Sequence, residues 1–142
     1  MINRKDMTQG DKKMLIRYLC MAVPYGLQVK TDEDNEPYTL LSVHPNKDIA
    51  LIGIDIDGVY ATSKVKIDTI KPYLRPLSSM TKEEENELYK QIYKAKPYSD
   101  GKSYNIYEVI GWDINYLNAH YFDYFGLIEK SLAIAAPEGM YN

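Results

Sequence analysis

Two hydrophobic periods divide the chain. Met14, Leu15, Tyr18, Leu19 and Ala22 recur at the three- and four-residue spacing of one helix face. Thr8 followed by Asp11 supplies a helix-start signal and Pro24 ends the run, so a helix is predicted over 9–23. The period then shortens. Pro24 to Gly26 reads as a turn, Leu27 to Lys30 and Tyr38 to Val43 read as strands around the polar loop TDEDNEP, and HPNKD at His44 to Asp48 interrupts again. The clearest strand signal is Ile52, Ile54 and Ile56 alternating with Gly53, Asp55 and Asp57. It predicts one buried sheet face, and Asp57-Gly58 predicts a hairpin turn into Val59 to Thr62.

The stretch IKPYLRPLSSMTKEEENEL, Ile70 to Leu88, marks the change from strands to helices. Ile67, Ile70, Tyr73 and Leu74 lead into two X-Pro steps that favour extended or turn conformations at Lys71 and Arg75. Thr81 with Glu84 then forms a capping box, Glu83 to Glu85 lie at the positive end of a helix dipole, and Leu88, Tyr89, Ile92 and Tyr93 form a stripe, predicting a helix over 82–94. Lys96 to Asn105 reads as a loop, and Ile106 to Ile110 fits a short strand or a helix. Asp113 is placed to cap a third helix through Ile114, Leu117 and Tyr121, with Gly126 as its stop. The tail from Leu127 is apolar enough to dock and ends in a Pro-Gly turn.

The expected fold is therefore α+β: an N-terminal helix (9–23), a strand-rich part (27–74) forming a small, mostly antiparallel sheet, open or barrel-like, and a helical part (81–142) with two further helices. No repeat, low-complexity tract or linker interrupts it, so one domain over 1–142 is expected.

Charge narrows the function classes. The formal net charge is -3, with 17 Lys and Arg scattered among 20 Asp and Glu, which disfavours a nucleic-acid or anionic-lipid footprint. Cys20 is the only cysteine, which excludes an internal disulfide and a Cys-rich zinc site and fits a reducing compartment. The N-terminus MINRKDMTQGDKK is polar, and no window approaches the roughly 20 apolar residues of a membrane span, so a cytoplasmic protein without membrane association is expected. Fourteen tyrosines stand against two phenylalanines and one tryptophan. Most lie in periodic segments as the rim of a core, while their amphipathic rings also suit recognition surfaces.

LIGIDIDGV, Leu51 to Val59, resembles the first motif of the haloacid dehalogenase-like phosphatases, in which two carboxylates two residues apart hold Mg2+ beside a phosphoryl group. That chemistry needs a parallel doubly wound sheet whose later strands supply further polar groups, and no apolar strand ending in paired carboxylates follows Thr62. A hairpin explains the same letters. Asp55 and Asp57 also match the first two ligands of a calcium loop, but Gly58 comes too early and no Glu completes it. A thiol nucleophile would need Cys20 beside His44 or His120 and an orienting carboxylate such as Asp123; Cys20 is expected instead on the apolar side of its helix, beside Leu19 and Val23. Two dispersed histidines support no metal site. No catalytic residues, metal or cofactor are assigned.

The best binding pattern is Lys64, Lys66, Lys71 and Arg75 interleaved with Tyr60 and Tyr73, a candidate strand face for gripping phosphates while rings stack on bases. Its binding residues would be Lys64, Lys66, Lys71, Tyr73 and Arg75; an ordinary solvated sheet face explains the pattern as well.

Three islands, LCMAVPYG at Leu19 to Gly26, IKPYLRPLSSMTKEEE at Ile70 to Glu85 and YLNAHYFDYFGLIEKSLAIAAPEGMY at Tyr116 to Tyr141, cover about 50 of the 142 positions. They resemble segments of a family of small uncharacterised proteins from gut Bacteroidales and their phages or prophages. That family's C-terminal island reads Trp-Leu-Asn and Asp-Tyr-Arg-Gly, where this chain has Tyr116-Leu117-Asn118 and Asp123-Tyr124-Phe125-Gly126. The resemblance implies a phage or mobile-element setting. The expected function is a non-enzymatic interaction or accessory protein with an unknown protein partner; the alternatives are a nucleic-acid-binding module and a phosphatase-like enzyme.

Overall fold

The computed structural model describes residues 7–94 and 114–141, the side chains of 89 and 91–94 excepted. Helix α1 (Gln9–Ala22) begins at Thr8, whose Oγ1 accepts the Asp11 amide at 2.9 Å. This satisfies one of the N–H groups that a helix start leaves unpaired. Leu15, Tyr18, Leu19 and Ala22 are buried, the face that the spacing predicts. A 3-10 turn, Val23–Tyr25, carries Pro24, and Gly26 ends it at φ 74°, a conformation in which a side chain would be strained.

Five strands follow one another into an antiparallel sheet: β1 (Gln28–Thr31), β2 (Tyr38–His44), β3 (Ile49–Ile56), β4 (Val59–Lys66) and β5 (Ile70–Leu74). A short β6 (Ile134–Ala135) joins β5 in parallel, giving the order β4-β3-β2-β1-β5-β6. β2, β3 and β4 form a meander. The chain then passes through a 3-10 turn, Ile67–Thr69, with Ile67 fully buried, and crosses to pair β5 with β1. The sheet is open rather than barrel-like. Closure requires the two edge strands to meet; here one edge is the two-residue β6 and the other, β4, is exposed along all of its length except Val65.

One face of the sheet carries Val29, Leu40, Ala50, Ile52, Ile70 and Leu74, and these join the α1 face and Leu127, Leu132 and Ala133 in one core cluster. The burial stops partway along β3. Ile52 is buried but Ile56 is exposed, which corrects the expectation that all three alternating isoleucines line the core. No residue of β4 is buried, so the β3–β4 hairpin runs past the layer that α1 and the C-terminal segment cover.

Helix α2 (Lys82–Lys94) starts with the expected capping box: the Glu84 amide donates to Thr81 Oγ1 at 3.1 Å and the Thr81 amide to Glu84 Oε1 at 3.0 Å. Within its predicted stripe, Leu88 is half-buried. The loop expected at Lys96 to Asn105, the ambiguous Ile106 to Ile110 and the Asp113 cap lie outside the described residues.

Residues 114–119 are helical, but the helix ends before Gly126. Tyr121 takes φ 63°, its amide donates to the Asn118 carbonyl at 3.1 Å, and the Phe122 amide donates to the Leu117 carbonyl at 2.9 Å. That pair of bonds is a Schellman stop with Tyr121 in the place glycine usually holds. The stop turns Phe122 into a parallel bridge with Arg75, extending the β5 edge. Asp123 then accepts the Leu127 and Ile128 amides at 2.8 and 2.9 Å, capping the turn that docks Leu127. Among the described residues no helix is long and apolar enough to cross a membrane.

Candidate functional site

The five candidate binding residues share one sheet face without forming one site. Register places Lys30 opposite Lys71, Thr39 opposite Gly53, Gly53 opposite Thr62 and Leu51 opposite Lys64, so by alternation Lys64, Lys66, Lys71, Tyr73 and Arg75 all fall on the face away from α1. β3, β2 and β1 stand between β4 and β5. At about 4.8 Å per strand, the two halves of the set are roughly 19 Å apart along the sheet.

The β5 half is occupied internally. Arg75 makes a bidentate pair with Glu84, at 2.6 and 2.7 Å, donates to the Ser79 carbonyl at 3.2 Å and lies 4.3 Å over the Phe122 ring. Tyr73 is buried, and its carbonyl accepts the Tyr141 hydroxyl at 2.8 Å. Arg75 and Glu84 border a cleft of about 620 Å3 that His120 and the Pro137 to Gly139 turn also line. His120 stacks on Tyr116 at 4.2 Å, its Nδ1 3.6 Å from Glu84, and the Tyr116 hydroxyl donates to the Glu84 carbonyl at 3.1 Å. The guanidinium beside Glu84 holds its carboxyl down at about 2, reinforced by the Thr81 amide. The Arg75 guanidinium and the Tyr116 hydroxyl both already have partners in the fold, so the cluster ties α2 to β5 and to the C-terminal segment. The sequence showed the capping box but not that the same carboxylate binds Arg75, because nothing local links positions nine apart across a chain reversal.

The phosphatase-like motif lies in a different setting from the one its chemistry needs. β3 is antiparallel to both of its neighbours, Asp57 is a turn residue at φ 52°, and Asp55 Oδ1 accepts the Gly58 amide at 2.9 Å. Among the described residues no three His, Cys, Asp or Glu side chains gather as a metal-ligand set. Cys20 is exposed, not on the apolar side of α1: the stripe through Leu15, Tyr18, Leu19 and Ala22 leaves the next position turned to solvent. His44 is also exposed, with Nε2 3.1 Å from Ser42 Oγ.

The β4 half is different. Lys64 and Lys66 make no ion pair among the described residues. At the turn end of the same hairpin, Ile56, Val59 and Tyr60 are 56 %, 69 % and 53 % exposed, three of the four large apolar side chains left in the open among the described residues. All three flank one turn. The Tyr60 ring lies over Gly53, where a Cβ would come within 2.6 Å of it, so the glycine lets the ring lie against the sheet. The sequence carried this signal in Ile56, Val59 and Tyr60 around Asp57-Gly58. It was masked because alternation cannot tell a strand that stays over the core from one that overruns it. The chain matches no protein-family model, no curated protein and no solved structure.

Proposed function

We propose that the chain is a non-enzymatic interaction protein whose protein partner docks on the β3–β4 hairpin, acting in the cytoplasm in a phage or mobile-element setting. The resemblance of the three sequence islands supports the setting. The observation that carries the function is the concentration of exposed Ile56, Val59 and Tyr60 at one hairpin tip. Scattered apolar residues on a surface are ordinary; a cluster of them beside charge marks interaction sites. Ile56 and Val59 pair on one face of the tip, Tyr60 stands on the other opposite Asp55, and Asp57 lies in the turn, so the tip offers apolar contact on both faces. Burying each aliphatic side chain against a partner contributes about 1.5–3 kcal/mol, and tyrosine is among the residues that dominate interface energies.

Affinity capture from the cell that naturally expresses the chain tests the reading, comparing wild type with Ile56→Asp/Val59→Asp/Tyr60→Asp. The new carboxylates at 56 and 59 face each other and the one at 60 faces Asp55, so the variant loses some stability, and a urea denaturation curve shows that it remains folded under the capture conditions. A protein captured in stoichiometric amount by wild type and lost by the variant is the expected outcome. Capture that survives the variant contradicts the reading.

A further inference from the structure

We infer that the open edge of β4 accepts an extended acidic polypeptide segment, added as a further strand of the sheet. This deepens the hairpin reading and rests on it.

The edge is presented by the turn. A two-residue turn with φ of 52° at Asp57 and 83° at Gly58 is of the type that closes on a hydrogen-bonded pair, here Ile56 opposite Val59. Bonded and non-bonded pairs alternate along an antiparallel ladder. Ala61, Ser63 and Val65 therefore direct their main-chain groups at β3, and the Ile67 amide, which donates to the Asp48 carbonyl at 3.1 Å, continues that phase. Tyr60, Thr62, Lys64 and Lys66 direct theirs outward. Among the described residues nothing pairs with that edge, since β4 ends the strand order.

The charge selects the occupant. Lys64 and Lys66 stand on the same face and have no acidic partner among the described residues, so an added strand with carboxylates at alternate positions meets both. A second copy of this chain is disfavoured by the same lysines. Outward groups pair only even-numbered residues with even-numbered ones, so Lys64 and Lys66 of both copies would share one face, opposite Gly58, Tyr60, Thr62 or each other, never an acid. Edge lysines are a common guard against self-pairing; here they repel a like edge and attract an acidic one. Main-chain pairing supplies affinity and the alternate side chains supply selection, as in other strand-addition complexes.

The test uses the full chain and fluorescein-labelled peptides matched to the 8-residue length of β4, one alternating Thr with Glu and one alternating Thr with Lys, with an oligothymidine of equal length. Fluorescence anisotropy near physiological salt should show the Glu peptide binding at least about tenfold more tightly than the Lys peptide and the oligonucleotide. Lys64→Glu/Lys66→Glu should reverse the peptide order. Thr62→Pro removes one outward N–H and should weaken the Glu peptide about tenfold, whereas Thr62→Ala should leave it within about twofold. Equal binding of the two peptides, no binding of the Glu peptide, or binding indifferent to Thr62→Pro overturns the inference. Tighter binding of the oligonucleotide, lost in the double lysine variant, would assign the edge to nucleic acid instead. Failure with the peptides while the hairpin variant still loses its captured protein would leave the docking surface standing and remove only the acidic strand.

Discussion

Glu84 serves a helix start and an ion pair with one carboxylate. It accepts the Arg75 guanidinium at 2.6 and 2.7 Å and the Thr81 amide at 3.0 Å, so protonating it removes several bonds at once. Its carboxyl is held down at about 2 from an ordinary value near 4.3, first by Arg75. A depressed carboxyl stabilises the fold above its unfolded pKa, and that stability is lost as pH falls through the folded one. Glu84→Gln should accordingly cost roughly 2–3 kcal/mol at pH 7, a difference that shrinks below about pH 4 and closes near pH 2. Urea denaturation of both proteins at several pH values measures it; a difference that stays constant with pH would deny the pair its role. Tyr18 poses the opposite case. Its hydroxyl is fully buried without a partner among the described residues, and burial pushes its pKa well above the usual phenol range. The ring itself is well placed, edge-on to Tyr124 and Phe125 at 6.2 and 6.0 Å. Deleting an unsatisfied buried hydroxyl relieves its desolvation, so Tyr18→Phe should hold or raise stability by up to about 1–3 kcal/mol. A clear fall in the urea midpoint would reveal a buried water bonded to that oxygen.

At the scale of elements, the β3–β4 ladder predicts a contrast between neighbours. Ser63 sits in a hydrogen-bonded pair opposite Ile52, so Ser63→Pro should cost about 3 kcal/mol, while Thr62→Pro, on the open edge, should cost less than about 1. Comparable losses at both positions, measured by thermal unfolding, would contradict the assigned phase. Thr81→Ala should cost about 0.5–2 kcal/mol by removing the acceptor for the Glu84 amide. These elements were the legible ones. Thr8, Thr81 with Glu84, and Asp57-Gly58 each act within a few residues, so their local chemistry appears directly in the letters. The stop of the helix at 114–119 did not, because Tyr121 in a left-handed conformation offers no compositional cue. What holds it is tertiary: the Tyr121 hydroxyl donates to the Tyr25 carbonyl, and its ring stacks on Tyr141 at 3.7 Å.

For the whole molecule, sequence patterning reached the α+β class and the antiparallel strands but not their order. The placement of β5 beside β1 and of β6 beside β5 depends on long-range burial of Ile67, Ile70 and Leu74, which periodicity does not encode. That order decides the candidate site. It separates Lys64 and Lys66 from Lys71, Tyr73 and Arg75, commits Arg75 to Glu84, and leaves β4 as a long open edge with an apolar tip. A surface of this kind is an aggregation liability unless charge guards it or a partner covers it. The proposed docking function requires the second role, and site-specific photocrosslinking is its sharpest test. A photoreactive benzoylphenylalanine placed at Tyr60, and separately at exposed Lys13 on α1, is irradiated in extract of the native cell. One discrete protein adduct is expected from position 60, absent from position 13 and suppressed by Ile56→Asp/Val59→Asp. Adducts to nucleic acid, or the same adducts from both positions, would contradict it.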